Sequence, residues 1–167
     1  MVIIVLVSIG YTPNVKAATS SQIDTVAHYL LSVPDAQKIL GQPTKLTGRT
    51  TKVKEGVTQY QCTYLAGPET VAGSRPCYLY YSLERHAEVA KAQKLYADML
   101  ASNSGMAGVK TLSGVGDEAW LHTDNNNFVL LIVRKGNALL RLKINKLTSK
   151  VSTAELQNAA SRMAAIL

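Results

Sequence analysis

Two cysteines, three histidines, one adjacent pair of carboxylates and one cationic strand face are the groups through which this chain could do chemistry. Cys62 and Cys77 form an even pair, and an even count in an exported protein reads as a disulfide. Their spacing fits neither a zinc knuckle nor a C-x-x-C redox motif. His28, His86 and His122 fall in different stretches, none with a Cys, His or carboxylate neighbour at metal-ligand spacing, so no metal site is expected. Serines are plentiful, but no G-x-S-x-G elbow frames one as a nucleophile. Asp117 and Glu118 are adjacent. Successive residues of an extended chain point to opposite faces, so Asp117 is expected to hydrogen-bond within its own turn rather than share acid–base work. Gly114-x-Gly116 lacks the third glycine and the following helix of a phosphate loop. No catalytic residue and no cofactor is assigned.

Two patches have a composition suited to binding. Arg134, Arg141 and Lys143 share a strand face with Phe128, Leu130 and Ile132. Such cations can snorkel round a covering helix or present a surface to an anionic ligand or partner. Tyr78 and Tyr80, with Gln59 and Gln61, make a polar-aromatic face. Tyrosines there can form a recognition surface or serve as ordinary strand formers. Trp120, the sole tryptophan, reads as core.

These residues need strands to position them. Phe128–Lys135 and Ala138–Asn145 flank Gly136-Asn137, a two-residue hairpin loop. That loop sets Val133 opposite Leu140, Leu131 opposite Leu142 and Val129 opposite Ile144, an aliphatic core face. The reverse face pairs Arg134 with Leu139, Ile132 with Arg141 and Leu130 with Lys143. Val57–Leu65 and Cys77–Leu83 alternate as a second hairpin. Setting Cys62 opposite Cys77 puts Tyr60 opposite Leu79 and Thr58 opposite Tyr81 on the sulfur side, with Gln61 opposite Tyr78 and Gln59 opposite Tyr80 on the other. That register predicts a Cys62–Cys77 bridge closing a loop of about 15 residues, worth on the order of 3 kcal/mol. Leu46–Val53 reads as a polar edge strand, and Val109–Leu112 and Glu118–His122 as short strands.

Helices are expected over Gln22–Leu31, from Ser32 to Gly41, over Glu84–Ala101 and from Ser152 to the end of the chain. Ser32 with Asp35, and Ser152 with Glu155, have capping-box spacing. In the last helix Leu156, Ala159, Ala160, Met163 and Leu167 form one stripe.

Val2–Ile9 is apolar and uncharged, and Gly10, Pro13 and Val15-Lys16-Ala17 follow. That order is an h-region and a small-residue cleavage site. No basic n-region precedes it, so residues 1–17 are expected to be a signal peptide truncated at its start. A buried N-terminal strand is the alternative. The run is far short of the ~20 residues that span a bilayer, and no cysteine stands at the cleavage site, so neither a transmembrane nor a lipid anchor is expected. Residues 18–167 then form one exported domain. The chain carries 18 Lys+Arg against 11 Asp+Glu, a net charge of +7. The cations are scattered singly, which speaks against a nucleic-acid surface and suits solubility or an anionic partner.

The order of several segments resembles small exported bacterial domains, many of them lipoproteins and most of unknown function. The segments are Ser32 to Pro43 with its Leu-Gly-x-Pro ending, Cys62-Thr63-Tyr64, Gly114 to Trp120, and Arg134 to Asn137. The resemblance covers most of residues 32–165 and implies a PsbP-like α+β fold. It carries over no catalytic residue, and this chain departs from it by lacking the lipid-attachment cysteine.

The expected architecture is α+β, a mainly antiparallel sheet of about six to seven strands with helices packed against it. The expected function is a non-catalytic periplasmic or secreted domain that binds an envelope protein or an anionic ligand. The alternatives are a small periplasmic hydrolase with an unrecognised site and an assembly accessory of an envelope complex.

Overall fold

The computed structural model describes residues 27, 30–67 and 75–167. The expected signal peptide over 1–17, most of the expected helix over 22–31, and His28 lie outside the described residues. In chain order the elements are α1 (Val33–Leu40), β1 (Thr44–Lys54), β2 (Val57–Ala66), β3 (Cys77–Arg85), α2 (Val89–Asn103), β4 (Val109–Leu112), β5 (Glu118–Thr123), β6 (Val129–Lys135), β7 (Ala138–Ile144) and α3 (Thr153–Ala164). The strands form one seven-stranded antiparallel sheet in the order β1-β2-β3-β7-β6-β5-β4. Two meanders, β1 to β3 and β4 to β7, therefore meet where β3 pairs with β7.

The fold is α+β, as the patterning requires. Around Gly136, at φ +55°, the β6–β7 hairpin takes the expected register, with Leu131 opposite Leu142 and Val133 opposite Leu140. These four side chains are fully buried, and burial of each contributes roughly 1.5–3 kcal/mol.

The β2–β3 register differs from expectation by four residues. Cys62 lies opposite Tyr81, and Cys77 lies opposite Ala66. The two cysteines are thus offset by four residues along the pair, about 14 Å at 3.4 Å per residue. A disulfide needs Cα atoms within about 7 Å. Accordingly, no disulfide joins Cys62 to Cys77, and the expected bridge is corrected. An even slip leaves every side chain on its original face, so alternation alone could not separate the two registers.

One face of the sheet carries the main core. Leu79, Leu83, Leu121, Leu131, Leu140 and Leu142 pack there against Ile39 and Leu40 of α1 and Leu156 and Met163 of α3. Ser32 closes the first turn of α1 by a capping box with Asp35. The α1 helix ends at Gly41, whose φ of +66° and approach to the Lys150 carbonyl leave no room for a Cβ. Ser152 N donates to Ile39 O (2.8 Å), tying α3 to α1. Two buried phenols reach from the sheet to backbone carbonyls beyond it. Tyr81 Oη donates to Ala27 O at 2.6 Å, and Tyr64 Oη donates to Leu31 O.

The other face is covered only in part. The helix α2 lays Tyr96 on Trp120, Ile132 and Leu139, forming a second, smaller cluster. It begins at Val89 rather than at Glu84, because Glu84 and Arg85 extend β3 and pair with Leu139 and Ala138. Its N-cap, Glu88, supplies no side-chain capping bond.

Candidate functional site

The part of this second face that α2 leaves uncovered unites the two patches of the sequence. Because β3 pairs with β7, Tyr80 stands opposite Lys143 and Ser82 opposite Arg141. On the other side of β3, Ser82 stands opposite Gln61 and Glu84 opposite Gln59. Tyr80, Gln59, Gln61, Arg141 and Lys143 line one hollow of about 310 Å³, with Met99 of α2 and Leu130 as its apolar wall. Tyr78 lies beside it, its ring centroid 5.7 Å from that of Tyr80 at a tilt of 38°. Tyr80 is 39% exposed.

Further hollows continue this one in both directions. Leu130 and Lys143 are shared with a hollow lined by Arg75, Asn127, Phe128 and Asn145. Beyond it, Arg75, Asn127 and Asn145 also line a hollow that reaches Lys146. In the opposite direction Gln59 is shared with a hollow of about 350 Å³ that includes Lys52, Lys54, Glu84 and His86. Together they make an open trough.

One end of it holds a charge cluster. Glu84, only 8% exposed, is ion-paired with Arg141 Nη2 and accepts a hydrogen bond from Gln59 Nε2 at 2.9 Å. His86 Nε2 stands 3.7 Å from the other carboxylate oxygen and has no hydrogen-bond partner among the described residues. Burial, and then the charge of Lys91, lower the His86 pKa, so its ring is neutral at neutral pH. Burial also lowers the pKa of Arg141. Arg141 is therefore committed to Glu84, whereas Lys143 and Lys52 make no ion pair among the described residues. Ser82 Oγ accepts from Gln59 Nε2 at 3.4 Å.

Arg134 does not belong to the trough. It is 6% exposed. Its Nε donates to Glu118 Oε2 at 2.5 Å, and its Nη1 donates to Asp117 Oδ2 at 2.9 Å and Gly136 O at 3.1 Å. Asp117 also accepts from Lys135 Nζ and Gly136 N. The expectation that Asp117 serves its own turn is corrected: its carboxylate clamps the β6–β7 hairpin. Those bonds, led by the one from Gly136 N, lower its pKa. Arg134 faces Glu118 across β5–β6, a cross-strand charge pair visible in the sequence only once those strands are aligned. His86 was weighed in the sequence only as a metal ligand, and Glu84, Lys52, Arg75 and Lys146 were not named as site residues, since strand pairing between distant segments collects them.

The remaining candidates are structural. Trp120 is wholly buried. His122 packs edge-on against Phe128, with centroids 4.9 Å apart. Burial raises the pKa of both cysteines, and Cys77 Sγ donates to Lys146 O at 3.2 Å. Among the described residues no group of three His, Cys, Asp or Glu could hold a metal ion, and no helix is long and apolar enough to cross a membrane. No protein family, curated protein or solved structure matches the chain.

Proposed function

We propose that the chain is a non-catalytic exported domain that binds an anionic ligand or partner at the cell envelope through this trough. One observation carries the reading. Tyr80 and Lys143, read from the sequence as members of separate patches, are cross-strand neighbours on an open face. The chain's net charge of +7 acts in the same direction. The arrangement does not favour hydrolysis. Glu84 is already engaged by Arg141 and Gln59, and Ser82 makes no hydrogen bond to a base among the described residues, whereas a nucleophile needs one within hydrogen-bond reach.

Export is supported by the apolar run Val2–Ile9 and the Val15-Lys16-Ala17 site. A PsbP-like arrangement belongs to the same proposal, supported by the antiparallel sheet with its packed helices. The test of binding is elution from a heparin column. The double variant Lys52→Ala, Lys143→Ala should elute at lower salt than a control double variant, Lys38→Ala, Lys110→Ala, which removes equal charge elsewhere. Identical elution of the two would refute the trough as the anion site.

A further inference from the structure

The trough has a length, a wall chemistry and a charge balance that together specify a class of ligand. Along β3 it runs from Tyr78, beside Asn145, to Glu84, on the order of 20 Å at about 3.4 Å per residue. That is a path for a polymer segment rather than a cleft that encloses a small metabolite. Among the described residues its lining carries six cations against two carboxylates. One of those carboxylates, Glu84, is neutralised by Arg141, and the other, Glu55, by Lys54 at 3.3 Å. The surplus charge lies at Lys52, Lys143, Lys146 and Arg75.

Between the cations the floor is neutral. The Gln61 amide and the Ser82 hydroxyl donate and accept, and the Tyr78–Tyr80 pair offers two rings 5.7 Å apart. An extended acidic peptide satisfies its backbone N–H and C=O groups best along a sheet edge, and the edges here are β1 and β4. The trough lies on a face, where only side chains are offered. A face of this kind suits a ligand whose own polar groups are hydroxyls and whose flat C–H surfaces rest on aromatic rings.

We infer that the trough binds an extended anionic glycan, with sugar rings on Tyr78 and Tyr80 and acid groups on Lys143 and the cations beyond it. This rests on the anion-binding reading above and adds the ligand class. The test is calorimetric titration of the full chain with three hexameric probes: an oligouronate, its methyl ester and hexaglutamate. The oligouronate should bind, and the ester and hexaglutamate should bind at least about tenfold more weakly, a gap of roughly 1.4 kcal/mol. Tyr80→Ala should weaken oligouronate binding about tenfold, whereas Tyr80→Phe, which keeps the ring, should stay within about twofold. Hexaglutamate binding as tightly as oligouronate, or an unchanged affinity in Tyr80→Ala, overturns the glycan inference and leaves the anion reading standing. Equal binding of the ester, or binding of neither acid, overturns both.

Discussion

Raising the pH should unfold this domain through its buried phenols. Tyr64, Tyr81 and Tyr96 are 1%, 1% and 4% exposed. Burial raises all three pKa values, that of Tyr96 to about 12 and the other two further. Unfolded tyrosine titrates near ~10. Because the folded values are the higher ones, the unfolded chain loses these protons first. The stabilisation is therefore complete below about pH 10 and is lost as pH rises through the folded values. Each tyrosine contributes a slope of about 1.4 kcal/mol per pH unit. Three of them remove roughly 4 kcal/mol by about pH 11, a large share of the ~5–15 kcal/mol of a typical domain. The buried thiols add to the loss, beginning near the ~8.5 of an unfolded cysteine. Tyr81→Phe isolates one contribution. At neutral pH the variant leaves Ala27 O without its 2.6 Å hydrogen bond, a cost of about 1–3 kcal/mol. Since the variant lacks the titrating group, its deficit should shrink by about 1.4 kcal/mol between pH 8 and 11. Urea unfolding of both proteins at pH 8, 10 and 11 measures this. A deficit that stays constant with pH would refute the reasoning.

Three further outcomes are expected. Leu131→Asp buries an unpaired charge at a wholly enclosed core position and should abolish cooperative thermal unfolding, its cost exceeding about 4 kcal/mol; a wild-type melting temperature would contradict the core assignment. Arg134→Ala removes the group that Glu118 and Asp117 share; since those carboxylates are partly exposed, the loss in urea unfolding should be about 1–3 kcal/mol, and no change would mean that the clamp is idle. Thiol titration should find two reactive groups per chain in denaturant and almost none in its absence, because both cysteines are buried and unbridged; an absence of thiols in denaturant would restore the bridge.

The legible parts of the fold were those where local chemistry leaves one answer. The two-residue Gly136-Asn137 loop fixes β6 against β7 residue by residue, and Ser32 with Asp35 fixes the start of α1. The β2–β3 register was not legible, since a long loop sets no phase and a slip of four preserves both faces. The start of α2 was misread because Glu84 fits the polar face of a helix as well as it fits β3. The site divides in the same way. Tyr80, Arg141 and Lys143 could be named from strand faces alone. Their meeting could not, because it depends on β3 pairing with β7, strands separated by the whole of β4 to β6 in the sequence. Arg134 shared the strand face of Arg141, but the register to Glu118 turned it into a buried clamp.

The unequal covering of the sheet divides the molecule into two parts of different resistance to opening. The Tyr96–Trp120–Ile132–Leu139 cluster is separated by the sheet from the larger core, so α2 can lift away without disturbing α1 or α3, as a cooperative unit of its own. Amide protons of α2 should then exchange faster than those of β6 and β7. Met99, on that helix, forms part of the trough wall. An occupant that rests on Met99 binds only the closed form, and by mass action it holds the helix down. Filling the trough should therefore slow exchange along α2, including turns that the occupant never touches.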